Sequence, residues 1–345
     1  MLAWWDVHRR VLPWRAGPGE TPEPYSVWLS EILLQQTTVA AVTPYFKRFL
    51  ARWPRIEDLA AAPIEEVMRT FAGLGYYSRA RNLHLCAQEV ARRGGFFPDD
   101  EANLRKLPGV GAYTAAAIAA IAFNRVASPV DGNIARIITR LRAIPRPVAQ
   151  SRNEIAAVAV AMTPKDRPGD FAQALMDLGA TICTPRNPNC GACPLAEDCI
   201  AFHADDAEAF PHKPPKAPRP LRKGAAFFFR RPDGAVLMRT RPAKGLLGGT
   251  VELPGTVWAV DFDPDAAEHL APVKSSWRRL PGFVEQAFTH FTLQLAIYSA
   301  RAKNARTAAG CYWVAAADLS DAGLSSVMFK AVAYALRCEE GTLAG

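Results

Sequence analysis

At 345 residues, half of them hydrophobic and 21% charged, the chain has the composition of a globular protein long enough for two cores. Its formal net charge of +8 suits a polyanionic partner without requiring one. No apolar run approaches the roughly 18–20 residues of a membrane span, so no membrane association is expected. The start, MLAWWDVHRRVLPW, lacks the parts of a secretory leader, so a cytoplasmic setting with reduced thiols is expected.

Residues 24 to about 200 read as mainly helical. PYSVWLSEILLQQT, PIEEVMRTFAGL, SRARNLHLCAQEVARR, AYTAAAIAAIAF, NEIAAVAVAM and DFAQALMDLGATI have helical length and are punctuated by Gly or Pro. HADDAEAFPHKPPKAPRPLRKG is rich in proline and basic residues, the composition of an extended linker. Beyond it, AAFFFR and AVLMRT flank RPDG as a hairpin, FVEQAFTHF and LQLAIYSA are further strand candidates, and SSVMFKAVAYALR reads as a closing helix. The expectation is therefore a multidomain chain: an all-α domain over 1–202, a linker over 203–222 and an α+β domain over 223–345.

Three features of the helical part carry chemistry. In PYSVWLSEILLQQT the helix is apolar almost all round, and no basic residue stands three or four positions from Glu31 to pair with it. A glutamate sheltered in this way has its pKa raised and suits a proton donor near neutrality; one at the helix margin would simply reach solvent. LRKLPGVGAYTAAAIAA places Gly109, Val110 and Gly111 before an alanine-rich helix, so that a glycine turn and a helix start present N–H groups to an anion. In SPVDGNIARIITRL, Asp131 sits where a helix begins, as an N-cap that can also face a developing cation. Farther on, Cys183, Cys190, Cys193 and Cys199 follow the spacing Cys-x6-Cys-x2-Cys-x5-Cys. Zinc favours paired Cys-x2-Cys knuckles and finds one pair here; a [4Fe–4S] cube accepts less regular spacing. Chemistry alone leaves both open.

The cysteine spacing after a helical domain resembles the cluster loop of the endonuclease III-like DNA glycosylases, which implies a [4Fe–4S] cofactor and makes Arg186, inside the loop, a phosphate contact. LPGVGAYTA resembles their helix-hairpin-helix clamp on the DNA backbone. Members that also nick the strand place a Schiff-base lysine where this chain has Tyr113, so base removal alone is expected. Taken together, LPWR, PYSVWLSEILLQQT, GLGYYSRARNL, LPGVGAYTA, VDGN, MDLGATICT and the cysteine loop resemble, in order, the MutY-type adenine DNA glycosylases.

That resemblance implies excision of adenine opposite 8-oxoguanine or guanine in duplex DNA, by a monomer. It implies that Glu31 protonates adenine, that Asp131 stabilises the sugar cation, that Asn133 orients Asp131 or the water, and that Tyr113 borders the pocket. Trp14, Arg15 and Gln35 would complete the adenine pocket. Gln36 and Tyr76 would meet DNA with Gly109, Val110, Gly111 and Arg186, and Tyr76 would wedge beside 8-oxoguanine. Some members carry lysine where this chain has Ala135, so covalent trapping on product is expected to be weak.

GLLGGTVELPG resembles the Nudix-like domain of the same family, but the segment after it lacks the dense carboxylate helix that holds Mg²⁺ in hydrolases. A recognition module is expected, with Phe288, Thr289 and His290 resembling a Phe-Ser-His loop that probes 8-oxoguanine. The competing expectations are a glycosylase/lyase for oxidised pyrimidines and a non-catalytic mismatch sensor. Tyr113 and the second domain speak against the first, and Glu31 with Asp131 against the second.

Overall fold

Helices dominate the first two hundred residues, and strands the remainder. The computed structural model describes residues 1–212, 218–302 and 307–343. The helices run α1 (Leu2–His8), α2 (Pro24–Leu34), α3 (Val39–Arg52), α4 (Ile56–Ala61), α5 (Ile64–Phe71), α6 (Ser78–Arg92) and α7 (Glu101–Leu104). After these come α8 (Ala112–Phe123), α9 (Gly132–Leu141), α10 (Arg152–Met162), α11 (Pro168–Thr181) and α12 (Ile200–His203). Seven strands follow: β1 (Leu221–Arg230), β2 (Val236–Thr240), β3 (Val251–Glu252), β4 (Arg278–Arg279), β5 (Val284–Ala287), β6 (Thr292–Arg301) and β7 (Cys311–Val314). Helix α13 (Ser326–Leu343) closes the chain. By contact the chain divides into Met1–Ala62 with Asn82–Lys216, and Pro63–Arg81 with Ala217–Gly345. The sequence suggested contiguous domains, whereas the segment around α5 clusters with the C-terminal unit.

In the helical unit, α2 begins with Pro24 at its first position, and the Glu23 carboxylate accepts from the N–H groups of Tyr25 and Ser26. Its residues from Val27 to Leu33 are buried on every side. Helix α8 is buried from Thr114 to Ala120 and packs on both α2 and α11. Its alanines let α11 come close: a Cβ on Gly169 would lie 2.3 Å from the Ala120 carbonyl oxygen. Helices α9, α10 and α11 share a core of Ile134, Ile138, Ile155, Phe171 and Leu178.

In the C-terminal unit, β1 and β6 pair in parallel along ten residues, Leu221↔Thr292 to Arg230↔Arg301. The mixed sheet has the order β3-β2-β1-β6-β4, with β5 also on β6 and β7 also on β2. Ala226 and Phe228 face a core completed by Val327, Met328 and Ala331 of α13, while Phe227 and Phe229 face Trp277 and Tyr298. Burial on both faces is why AAFFFR reads as an unbroken apolar run. The expected hairpin forms, with Arg230 opposite Val236 and Gly234 at φ 87°.

Two expectations need amendment. The linker expected over 203–222 is shorter among the described residues. His203 ends α12, Phe210 is buried with its carbonyl bonded by Arg140, and β1 has already begun at Leu221. Proline and charge made the segment look solvated, but one phenylalanine and a buried arginine hold its start down; residues 213–217 of that linker lie outside the described residues. FVEQAFTHF is a strand only over Val284–Ala287. Helix α3, which sequence pattern does not single out within the helical stretch, contains Pro44 at the loss of one backbone bond.

Gly169→Ala is predicted to lower the stability of the helical unit by ~1–3 kcal/mol, because backbone rather than a flexible side chain opposes the new methyl group. Guanidinium unfolding followed by circular dichroism checks this.

Candidate active site

Helix α2 carries Glu31 one turn before its C-terminal end, with 7% of its surface exposed among Val27, Trp28 and Leu33. The Tyr113 hydroxyl, from the first turn of α8, is a hydrogen-bond partner of the Glu31 carboxyl. Burial is the largest influence on Glu31. The Tyr113 hydrogen bond and the Arg15 charge oppose it and the Asp131 charge adds to it, and the carboxyl is pushed up to about 7. Burial and the two carboxylates likewise push the Tyr113 phenol up, so it stays a neutral donor.

Asp131 is the N-cap of α9. Its Oδ1 accepts from the Ile134 N–H at 2.7 Å and its Oδ2 from the Asn133 amide at 3.0 Å. Cap and charge therefore coexist in one side chain. Asn133 is held in turn: its Oδ1 accepts from Arg136, whose guanidinium also donates to the carbonyls of Gly179 and Cys183. This chain of bonds runs from the cysteine loop to Asp131.

Trp14, Arg15 and Glu31 line one small cavity of about 60 Å³, together with Arg10, Ser30 and Gln173. Trp14 is buried edge-on to Phe46. Arg15 grips Asp177 through both guanidinium nitrogens, at 2.6 and 2.8 Å, and Arg10 bonds the same carboxylate through its Nε and its backbone N–H. Burial would raise the pKa of fully enclosed Asp177, but the two arginines outweigh it and hold the carboxyl below its ordinary value. Asp177 was missed from sequence: within MDLGATICT it looks like the polar side of a helix, and both partners lie more than 160 residues away. Gln35 does not line this cavity; its amide donates to Thr114 Oγ1 at 3.3 Å. Gln36, just past α2, has a left-handed φ of 59°.

The hairpin before α8 behaves differently at its three positions. Gly109 has φ 75°, and a Cβ there would also lie 2.7 Å from the Asn82 Cβ. Gly111 has φ −84°, which any residue adopts, so of the two glycines only Gly109 uses the conformational freedom of its type. A Cβ on Gly111 would meet nothing within 4 Å, and the helix start behind it has no side-chain cap. Val110 is buried, so it offers an approaching anion only backbone. Arg186 is exposed on the cysteine loop.

Between Cys183 and Cys199, backbone turns through the Cys190–Ala192 3₁₀ turn draw the loop together. Cys190 and Cys193 each feel the charge of Cys183 and Cys199, so the four thiols share one neighbourhood. Yet among the described residues no three His, Cys, Asp or Glu side chains stand as close as one metal ion requires. Buried Arg140 donates to Cys183 Sγ at 3.2 Å and to the Thr184 carbonyl at 2.7 Å, putting a positive charge beside that sulfur.

In the C-terminal unit, the Tyr76 hydroxyl and Thr289 Oγ1 are 2.7 Å apart, and Tyr76 is half exposed at φ 48°. Thr289 and His290 are exposed. Phe288 is not a free probe: it stacks on Phe291 and packs against Trp258, anchoring the loop. The segment after GLLGGTVELPG folds without a carboxylate helix; its one regular turn is the 3₁₀ turn Ala267–Leu270.

Comparison with known proteins agrees with this geometry. Residues 29–160 match the HhH-GPD superfamily of base excision DNA repair proteins, 183–199 the iron–sulfur binding domain of endonuclease III, and 225–334 the NUDIX domain. The chain is 32% identical to the adenine DNA glycosylase of Rattus norvegicus, over 100% of itself and 79% of that protein. It is 31% identical to that of Homo sapiens, over 100% and 75%. A solved thermostable thymine-DNA glycosylase covers 59% of the chain and 93% of its own, at 31% identity and TM-score 0.52. An iron–sulfur cluster is therefore part of the protein.

The raised Glu31 pKa has a consequence for stability. Between the ordinary carboxylate value and about 7 the folded state holds a proton that the unfolded state has released. Stability from this group is therefore fully present below pH ~4.5 and falls as pH rises towards 7. Glu31→Gln is predicted to be more stable than the natural chain at pH 8, by up to ~3 kcal/mol, and equal to it at pH 4. Denaturant titrations at the two pH values test this.

Proposed function

The chain belongs to the adenine DNA glycosylase family, and from that premise we propose that it hydrolyses the N-glycosidic bond of adenine opposite 8-oxoguanine or guanine in duplex DNA. The observation that carries this reading is one carboxyl, Glu31, kept protonated near neutrality beside a second, Asp131, whose oxygens are met by N–H donors.

The adenine leaves the stack and enters the cavity lined by Trp14, Arg15 and Glu31. Glu31 gives its proton to the purine, the C1′–N9 bond breaks with its electron pair passing to the base, and positive charge develops on the sugar. Asp131 faces that charge, with Asn133 fixing its carboxylate. Water then adds to C1′ and its proton returns to Glu31. Tyr113 keeps Glu31 oriented and supplies no amine, which sets aside the glycosylase/lyase reading. Arg10 and Asp177 act through Arg15 as positioning residues. Gly109, Gly111 and the α8 start, with Gln36, Tyr76 and Arg186, hold the DNA backbone and the opened pair, and Thr289 and His290, on the loop that Phe288 anchors, meet the partner base. Cys183, Cys190, Cys193 and Cys199 would hold the [4Fe–4S] cluster, which would fix the loop carrying Arg186 and supply no step of the hydrolysis. The C-terminal unit acts as a recognition module without hydrolase chemistry.

Duplexes carrying adenine opposite 8-oxoguanine, guanine or thymine test the reading. Base release is expected opposite the first two, and Glu31→Gln or Asp131→Asn is expected to slow single-turnover release ~10²–10⁴-fold. Full-speed release by either variant contradicts the assignment. Borohydride is expected to trap little enzyme on abasic product, because Tyr113 and Ala135 occupy the lysine positions. The purified protein should absorb broadly near ~400 nm, and Cys190→Ser should lose that band; a colourless, zinc-loaded protein contradicts the cluster assignment.

A further inference from the structure

Behind the catalytic cavity lies a second and much larger hollow in the same unit. The space beside Glu31 measures about 60 Å³, well below the ~300–1,000 Å³ of an ordinary ligand pocket. The second hollow measures about 760 Å³ and is bounded by α1, the loop after Trp14, the end of α8 and the start of α11. The two share one wall, made by Trp14, Arg15, Ile121 and Gln173.

The larger hollow lies at the end of α8. Gln35, at the end of α2, bonds Thr114 at the start of α8, so the two helices run antiparallel and the DNA clamp lies at that end. The larger hollow is reached at Pro22, Phe123 and Asn124, about 15 Å further along α8. After hydrolysis the abasic strand still covers the front, held by the clamp. The freed base must wait for the DNA to leave, or depart from behind.

The wall is uneven. Arg15 is pinned by Asp177, and Ile121 belongs to a buried helix. Gln173 is held by one long hydrogen bond, 3.4 Å to the Gly169 carbonyl in the first turn of α11. The hollow behind it is lined by Trp5 and Pro22 and by the paired charges of Asp6, Arg167 and Asp170, and Gln173 offers an amide that can donate to and accept from a neutral purine.

We propose that this rear hollow is the exit path of the free adenine, with Gln173 as the movable part of the wall, so that base and abasic DNA leave by different doors. The proposal rests on the adenine-releasing reading above. It also assigns the hollow a ligand class, an uncharged purine base, and makes base release independent of DNA release.

The test uses the full cluster-containing chain and a duplex carrying radiolabelled adenine opposite 8-oxoguanine. Cleavage is read by denaturing quench, and escape of the base by rapid gel filtration of the protein–DNA complex. Ala16→Trp and Thr21→Trp fill the rear hollow without touching Glu31; Thr21 is exposed, so at least that variant should fold. Both are expected to cleave within about twofold of the natural rate while retaining labelled adenine at least ~10-fold longer, a delay confined to product release. Gln173→Ala is expected to shorten retention. If adenine escapes both filled variants as fast as the natural chain, or if cleavage and escape slow in equal proportion, the exit path is wrong. If the natural chain frees no labelled adenine at all, it is the glycosylase reading that fails.

Discussion

A carboxyl group held away from water inside α2 is the constraint on which the rest of the site depends. Glu31 has almost no access to solvent, and its partners divide in sign: Tyr113 and Arg15 favour its charged form, Asp131 and burial the neutral one. The balance leaves it able to hold a proton near neutrality and to release it. Such a group costs stability, because the folded state gains less from ionising it than the unfolded chain does. The buried bundle around it, from Trp28 to the alanines of α8, is what sustains that cost.

Among the described residues, the other polar groups leave this carboxyl without a full salt bridge. Arg15 is the cation whose charge acts on Glu31, and Asp177 holds both its forked nitrogens. A free guanidinium beside Glu31 would have drawn the carboxyl towards its charged form and ended its use as an acid. Asp131 is fixed from the other side, by its own helix start and by Asn133, which Arg136 ties to the cysteine loop. Two carboxyl groups in one site thus have different surroundings, as the proposed division into acid and counter-charge requires.

Much of this was legible from local pattern. The helix around Glu31 shows apolar residues on every side and no base within a turn, and both facts are read directly from ten letters. The cap at Asp131 and the glycine turn before α8 are likewise local. What escaped notice is non-local. Asp177 is one acid among helical residues until α11 is brought against the loop carrying Arg10 and Arg15. Nothing nearby in sequence announces Trp258 as the neighbour that makes Phe288 the anchor of its loop. Phe210 was given to a linker because its composition is that of a linker, while the arginine that bonds its carbonyl lies seventy residues earlier. Helix α3 is not singled out by pattern, although Thr38 caps its start and Val42, Phe46 and Phe49 bury one face.

The central claim is that Glu31 carries a proton at neutral pH in the folded protein. Difference infrared spectroscopy of the natural chain against Glu31→Gln, titrated across pH, observes that carboxyl directly. A protonated C=O band assigned to Glu31 that disappears with a midpoint near 7 is the predicted result. A band already gone by pH ~5, the behaviour of an ordinary solvated glutamate, contradicts the account.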